Sequence, residues 1–225
     1  MLFTKTAVRD NIRNRDGKRV FYLGKGDQLT SDARDFLTRE RIEILPADQA
    51  RPERYRLLNG GYMEHKPENM THLNAEILVP KTHPRILFRG GVDTLEAELL
   101  LACASATGNI RKQLEEALGY TRNLLRYEVL EKSVKETLLG GMDEKALRER
   151  SHRPQEFYGQ PHFMPGPEDS ALLLQVNKAR CAARAAELKA VAAFPEGRED
   201  LLRAFNRLSS FLYLIMIQLK ANGKA

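Results

Sequence analysis

Two arginines and a glutamate near the C-terminus are spaced so that they share one side of a helix. Arg180, Arg184 and Glu187 are separated by steps of four and three residues within a helically periodic run, and residues at such steps are neighbours on a helix surface. Guanidinium forks match phosphate oxygens, and a carboxylate suits the hard cation that accompanies a polyphosphate. The spacing therefore favours a site for a polyanion and its counter-ion. The alternative is a solvated helix face with charge pairs worth about 0.5 kcal/mol each.

A second polar segment follows in the next helical run, from Phe205 to Ser210. Its Asn206 carries an amide that can both donate and accept hydrogen bonds. Small residues separate the charges of the first segment, which would let a neighbouring helix or a ligand approach closely. These small residues are Cys181, Ala182, Ala183, Ala185 and Ala186.

These segments resemble the paired C-terminal motifs of the ATP:corrinoid adenosyltransferases, which attach adenosine to the cobalt of vitamin B12. The resemblance runs through Ala171–Leu174, Arg180–Glu187 and Asn206–Tyr213 in order. Further upstream, Val79–Ile86 and Gly90–Leu95 are similar to the family's approach to its first bundle helix, with Asp93 at the place of the helix-one aspartate.

Four shorter segments resemble the ethanolamine-utilization branch of that family. They are Leu29–Leu37, Ile42–Ile44, Thr71–Leu73 and Ser151–Pro154. That branch typically carries a histidine followed by a Cys-Cys-x-x-Cys cluster that binds a divalent metal, whereas here His65 has no cysteine near it. Because His65 and His72 alone cannot form a tetrahedral site, we predict that the protein needs no structural metal there.

The resemblance implies an enzyme, a transferase, that moves the 5′-deoxyadenosyl group from ATP to reduced cob(I)alamin and releases triphosphate. It implies a homotrimer with the active site between subunits. The catalytic residues would be Arg180 and Arg184 on the phosphates and Asp93, which would orient Arg180 of a neighbouring subunit. For Asp93 the plain alternative is an aspartate that caps or decorates its helix.

The resemblance also implies a set of residues that bind the substrates and the cofactor. Asn206 would contact the nucleotide, Thr71 and Lys81 would complete the ATP site, and Glu187 would bind the Mg²⁺ of the nucleotide. Thr71–Glu76 corresponds to a Gly-rich loop of other relatives but contains no glycine. Loop aromatics could displace the lower ligand of cobalt, with Phe157, Tyr158 and Phe163 as equal candidates.

The same resemblance suggests partners and a location. A B12-dependent lyase or dehydratase would use the product, a corrinoid reductase would supply electrons, and the cytoplasm or a bacterial microcompartment would house the protein. One rival function is a non-catalytic corrinoid-binding chaperone that hands cofactor to such an enzyme. Another is a docking or scaffolding role for residues 1–70, which is compatible with catalysis.

Composition narrows the partners without identifying the activity. The net charge of +6 favours an anionic partner. Basic residues are interspersed with acidic ones and there is no tryptophan, which disfavours nucleic acid. No apolar run reaches the roughly 18 residues of a membrane span.

Cys103 and Cys181 both lie in apolar helical runs, so we expect buried free thiols and a reducing cytoplasm. None of the five histidines has ligand spacing, so surface or capping roles are expected. They are His65, His72, His83, His152 and His162.

Residues 1–70 are predicted to form a small mixed α/β extension with a linker. Val20–Leu23 is typical of a strand that ends in a turn at Gly24–Asp27, where a phosphate cradle is the weaker alternative. Thr30 is expected to cap a helix that reaches Arg39. Ile42–Leu45 alternates like a second strand, and residues 46–67 are expected to be a linker or an ordered loop.

Residues 71–225 are predicted to be a mainly α domain, an antiparallel bundle of four or five helices. One helix should span Ile86–Ala106 and a second should begin at an Asn109 cap, with a break near Gly119. Asp143 is expected to cap a short helix, and residues 151–168, with four prolines and two glycines, to form a long loop. The last two helices should cover about 169–193 and 198–221.

Overall fold

The computed structural model describes residues 1–15, 17–49, 55–63, 65–135 and 138–223. The chain divides into two compact units. The N-terminal unit comprises Met1–Tyr55 and Tyr62–His65, and the helical unit comprises Arg56–Gly61 and Lys66–Ala225. The domain boundary near residue 70 stays a prediction.

Strands and helices alternate in the N-terminal unit, whereas within the described residues every named element after residue 83 is a helix. The strands are β1 (Leu2–Phe3), β2 (Arg13–Arg15), β3 (Lys18–Leu23), β4 (Gln28–Leu29), β5 (Glu43–Pro46), β6 (Tyr55–Leu57), β7 (Tyr62–Met63), β8 (Met70–His72) and β9 (Ile77–Pro80). The helices are α1 (Lys5–Asp10), α2 (Ser31–Arg39), α3 (Pro84–Ser105), α4 (Gly108–Val129), α5 (Glu144–His152), α6 (Pro154–Tyr158), α7 (Ala171–Ala193) and α8 (Glu199–Asn222). A 3₁₀ turn covers Ala47–Gln49.

The N-terminal unit is built on a three-stranded sheet in the order β2-β3-β5. Strand β2 is antiparallel and β5 parallel to β3. Thr30 accepts a hydrogen bond from the Ala33 amide at 3.3 Å, which caps α2 as predicted. The inner face of α2 then packs in a small core with Phe21 of β3 and Ile42. Both predicted strands and the helix between them are confirmed, and Gly24–Asp27 forms a plain turn closed by the Asp27 amide on the Gly24 carbonyl.

The helical unit has one continuous apolar core formed by its long helices. Helix α3 packs against α7 and α4, and α7 packs against α8. Their buried faces repeat every three to four residues, as an amphipathic helix requires. The buried members of α3, for example, are Phe88, Gly91, Val92, Leu95, Leu99, Ala102 and Cys103. The predicted mainly α bundle with a small mixed N-terminal part is confirmed.

Three local predictions need correction. Helix α4 begins at Gly108, so Asn109 lies inside the helix, and Thr107 holds the N-cap position without a side-chain hydrogen bond. The helix also continues unbroken past Gly119, because a single exposed glycine costs only about 1 kcal/mol of helix propensity. The predicted loop over 151–168 contains the short α6, which starts at Pro154, where a proline fits the first helical turn. By contrast, the Asp143 cap of α5 is confirmed, with its Oδ1 2.8 Å from the Ala146 amide.

A fully buried carboxylate joins α3 to α4. Glu128 accepts hydrogen bonds from Arg85 Nε and from Arg89 Nε, both at 2.7 Å, and its side chain has no exposed surface. Arg89 also donates to the Leu73 carbonyl at 2.8 Å, just after β8. Both arginines therefore satisfy a charge that would otherwise be very costly to bury, and Arg89 connects the bundle to the strand that carries Thr71.

The cysteines only partly follow expectation. Cys103 is buried, but Cys181 is exposed on α7, because its side chain lies on the outer side of that helix. Within the described residues, no helix is both long and apolar enough to cross a membrane.

Candidate functional site

The predicted arginine stripe lies on α7 beside α8. Ser170 caps α7 by accepting from the Leu173 amide at 3.2 Å, and alanines at 179, 183, 186 and 190 form its buried side. This orientation leaves Arg180 half-buried and Arg184 exposed along one edge of the helix. The small buried side explains how the stripe can run so close to its neighbouring helices.

Arg180 and Arg184 line the same cavity, of about 400 Å³. The other lining residues are Ser151, His152, His162, Ser209, Ser210 and Tyr213. A larger cavity of about 640 Å³ lies elsewhere in the helical unit, and none of the predicted site residues lines it. The structure therefore brings the two arginines together with hydroxyl groups from α8.

The two guanidinium groups differ in their contacts. Arg180 donates from Nε and Nη2 to Asn177 Oδ1, at 3.2 and 2.9 Å, which fixes its side chain along α7. Arg184 has no hydrogen-bond or ion-pair partner among the described residues, so its donors are free for a ligand. A cavity with one anchored and one free guanidinium can bind an anion in two-point fashion.

Glu187 and Asn206 meet across the α7–α8 contact. Asn206 donates from Nδ2 to Glu187 Oε1 at 3.2 Å. The main-chain carbonyl oxygen of Asn206 accepts hydrogen bonds from the hydroxyls of Ser209, at 2.9 Å, and Ser210, at 3.2 Å. One hydrogen-bonded run thus links the carboxylate to the cavity of the arginines. It leaves Glu187 Oε2 open, which fits Mg²⁺, since that ion usually takes one carboxylate together with water and phosphate oxygens.

His162 and Tyr213 form a pair that the sequence did not reveal. Their rings stack with centroids 5.8 Å apart, and His162 Nδ1 lies 2.9 Å from the Tyr213 hydroxyl. Burial raises the pKa of Tyr213, against the opposing effects of a Phe163 backbone hydrogen bond and the Arg180 charge. The residues are 51 positions apart and one lies in an irregular loop, so no periodic pattern could have paired them.

The remaining predicted site residues lie away from this cavity. Asp93 is exposed on α3 and makes no ion pair within the described part of its own chain. Thr71 is half-buried on β8, and Lys81 is exposed directly after β9. Of the loop aromatics, Phe163 stacks against Tyr213 and Phe157 lies under the Arg150 guanidinium. In this single chain the structure therefore brings Arg180 and Arg184 together in one cavity and pairs Glu187 with Asn206 next to it. Asp93, Thr71 and Lys81 do not line that cavity.

No cluster of three or more His, Cys, Asp or Glu side chains within the described ranges is arranged to hold a metal ion. His83 instead caps α3, its Nδ1 accepting from the Arg85 amide at 3.2 Å. Independence from a structural metal stays a prediction, because it concerns the requirements of the protein rather than its contacts.

The fold and the site define a helical-bundle protein with a cationic cavity lined by α5, α7, α8 and the segment between α6 and α7. Residues 61–219 match the family described as cobalamin adenosyltransferase, and the chain belongs to that family. The corrinoid adenosyltransferase EutT of Salmonella typhimurium is 26% identical over 242 aligned positions, covering 95% of this chain and 90% of the relative. EutT of Escherichia coli K12 is 30% identical over 164 positions, covering 68% of this chain and 59% of the relative. The predicted membership of the ethanolamine-utilization branch is confirmed.

Solved structures show the same bundle. A variant PduO-type ATP:corrinoid adenosyltransferase from Lactobacillus reuteri, complexed with cobalamin and ATP, superposes with a TM-score of 0.55 at 19% identity. The match covers 69% of this chain and 91% of that one. At this identity the likeness establishes the fold.

Proposed function

We propose that the protein transfers the 5′-deoxyadenosyl group of ATP to the cobalt of a reduced corrinoid and releases triphosphate. Family membership gives the reaction class. The observation that carries the proposal is the cavity shared by Arg180 and Arg184 beside the hydrogen-bonded pair of Glu187 and Asn206, at the contact of α7 and α8. Two guanidinium groups beside a carboxylate and an amide match a triphosphate with its metal ion.

The protein has to position the two substrates and stabilise the leaving group, because the corrinoid substrate itself supplies the nucleophile. Cobalt(I) attacks C5′ of ATP, a cobalt–carbon bond forms, and the C5′–oxygen bond breaks with its electron pair on the departing triphosphate. Negative charge develops on that leaving group, where Arg184 and Arg180 can stabilise it through charge-assisted hydrogen bonds. Holding the reactants in line lowers the barrier further. Mg²⁺, bound at Glu187, would neutralise phosphate charge.

The proposed assembly is a homotrimer formed through the outer faces of α3 and α7. One row of exposed residues on α7 has its members at steps of three and four, and these members are mostly apolar or small. They are Leu174, Lys178, Cys181, Ala185, Leu188 and Ala192. Leu188 is 71% exposed and Leu101 on α3 is 55% exposed, an arrangement that marks an interaction surface when contiguous. Asp93 lies on the outer side of α3, where a neighbouring subunit could present Arg180 to it.

The remaining parts of the proposal concern organisation and setting. Residues 71–225 would form the catalytic domain, with Thr71 and Lys81 completing the nucleotide site, and residues 1–70 would be an extension that docks to other proteins. The product would serve a B12-dependent lyase or dehydratase, and a reductase would supply the electrons. We place the reaction in the cytoplasm, in association with a bacterial microcompartment for ethanolamine utilization.

Anaerobic incubation with ATP, Mg²⁺ and chemically reduced cobalamin tests the activity. The visible spectrum should change to that of a light-sensitive adenosyl product, and the change should require ATP. Arg184→Ala should lower the rate at least tenfold, because one free phosphate donor is lost. Arg203→Ala is the matched control, since that exposed arginine lies on α8 but lines the larger cavity. If ATP binds but no product forms under strong reduction, the protein is a corrinoid-binding chaperone rather than an enzyme.

A further inference from the structure

The His162–Tyr213 pair forms part of the wall of the cavity that holds Arg180 and Arg184. His162 belongs to the segment between α6 and α7, and its Nε2 lies 3.2 Å from the His152 carbonyl oxygen at the end of α5. Tyr213 is on α8, with its hydroxyl on the other ring nitrogen. The pair therefore connects three parts of the helical unit at one side of the proposed phosphate site.

The direction of these hydrogen bonds follows from the partner of Nε2. A carbonyl oxygen can only accept, so Nε2 must carry a hydrogen and donate to His152. In a neutral imidazole the other nitrogen is then an acceptor. Tyr213 must consequently donate its hydroxyl hydrogen to Nδ1 of His162, so that this hydrogen is not available to a ligand.

The serine hydroxyls of the cavity also donate their hydrogens to a protein group. Ser209 and Ser210 both donate to the Asn206 carbonyl oxygen. With His162 neutral, all three hydroxyls thus donate their hydrogens to protein groups, and the guanidinium groups supply the donors of the cavity. Phosphate oxygens also accept, so these hydroxyls oppose an anion in this arrangement.

A single added proton reverses the direction of the pair. In a protonated imidazole both nitrogens donate, so Nδ1 of His162 then donates to the Tyr213 oxygen. The tyrosine hydrogen is released and can turn toward the cavity. His162 is exposed, so it can take this proton directly from water.

We propose that Tyr213 is a phosphate-contacting residue of the nucleotide site and that His162 switches it into a donor, so that polyphosphate binding is coupled to uptake of one proton. This inference rests on the proposed function, because it assigns the cavity to the triphosphate of ATP.

The surrounding charges favour such coupling. Arg180 and Arg184 face the pair from α7, and the ion pair of Lys220 with Asp169 lies behind Phe163. On α5, Arg150 is directed at the Phe157 ring. Negative charge from bound phosphates partly offsets the two guanidinium groups and favours the charged form of a nearby imidazole. Anion binding and protonation of His162 therefore support each other.

Calorimetric titration with tripolyphosphate tests the coupling without any corrinoid. The titration is run in two buffers that differ in ionisation enthalpy, from pH 6 to pH 8, and the number of protons taken up per bound anion is compared between variants. Wild-type protein should take up more protons than His162→Gln, by up to one proton. Full coupling of one proton makes the affinity fall by about tenfold per pH unit. His162→Gln should remove that part of the pH dependence.

Tyr213→Phe supplies a second, independent variant. It keeps the ring that stacks on His162 and removes the hydroxyl, so it should weaken tripolyphosphate several-fold at pH 6 and much less at pH 8. Tyr120→Phe is the matched control, because that tyrosine is also partly buried but lines the larger cavity. It should bind like the wild type.

Three results would overturn the proposal. They are equal proton uptake by wild type and His162→Gln, an unchanged affinity in Tyr213→Phe at low pH, and no tripolyphosphate binding by the wild type. Failure of the proposed adenosylation is separate, since it would appear as missing product in the spectroscopic assay while the binding titrations still show the proton coupling.

Discussion

Asn206 and Glu187 are joined by a hydrogen bond of 3.2 Å although they lie on different helices. A carboxylate can only accept, so the Asn206 amide must point its nitrogen at Glu187. Its side-chain oxygen is then directed elsewhere and can accept from a ligand. Each residue therefore fixes the other, and within the described residues each keeps one side-chain oxygen available to a ligand.

Replacing Glu187 by glutamine tests the cation role. Glu187→Gln keeps the size of the side chain and loses the charge that a hard cation prefers. We expect the KM for ATP to rise at least tenfold, equivalent to about 1.4 kcal/mol, and the Mg²⁺ concentration needed for half-maximal rate to rise with it. Initial rates over a grid of ATP and Mg²⁺ concentrations measure both. Glu196→Gln, an exposed change beyond α7, is the control, and an unaltered Mg²⁺ dependence in Glu187→Gln would remove this residue from the cation site.

A separate prediction is that the activity does not depend on a structural zinc or iron ion. His65 has no neighbouring cysteine in the sequence, so a tetrahedral zinc or iron site of the kind typical of this branch lacks its ligands. Activity should survive exhaustive chelation of transition metals once Mg²⁺ is restored, within about twofold of the untreated protein. One tightly held zinc or iron per chain, with activity following its occupancy, would contradict the prediction.

The buried Glu128 carboxylate should contribute more to the stability of the helical unit than an exposed carboxylate in the same network. Glu128→Gln removes the carboxylate that both arginines share, so Arg89 loses its ion-pair partner and Arg85 keeps only the exposed Glu131, and breaking a buried ion-pair network typically costs about 3 to 5 kcal/mol. Urea unfolding followed by circular dichroism measures the loss. Glu131→Gln is the matched control, because Glu131 also pairs with Arg85 but its side chain is 67% exposed, where ion pairs are worth at most about 1 kcal/mol. Equal losses in the two variants would show that burial of Glu128 is not what matters.

The four long helices and the capped helices α2 and α5 could be predicted from sequence, because they carry buried stripes at helical spacing or begin at a recognisable cap, whereas the short α1 and α6 were not predicted. The same periodicity placed Arg180, Arg184 and Glu187 on one side of α7. Glu128 illustrates the limit, since a glutamate among charged neighbours resembles a solvated residue until α3 brings two arginines to it. His162 and Tyr213 were missed for the same reason, because only tertiary packing brings the loop onto α8.

The last prediction concerns the ion pair proposed between Asp93 of one subunit and Arg180 of the next. Asp93→Asn keeps the size of the side chain but loses the charge, so Arg180 should lose its orientation while the fold stays intact. Removing one member of a desolvated, hydrogen-bonded pair typically costs about 3 to 5 kcal/mol. Much of that loss should appear as a higher KM for ATP and a lower kcat, measured beside the trimer's stability to dilution.

A double-mutant cycle decides whether the two residues act as one unit. Arg180→Ala should lose about as much activity as Asp93→Asn, and the double variant should be little worse than either single change, because a shared interaction can be removed only once. Glu98→Gln serves as the control, since that carboxylate on α3 pairs with Lys178 of α7 in the same chain at 2.9 Å, and its effect should add independently to that of Arg180→Ala. Additive losses for Asp93→Asn and Arg180→Ala would contradict the prediction, because two residues that share one contact lose it only once. Helix α3 would then not contribute to the active site through Asp93.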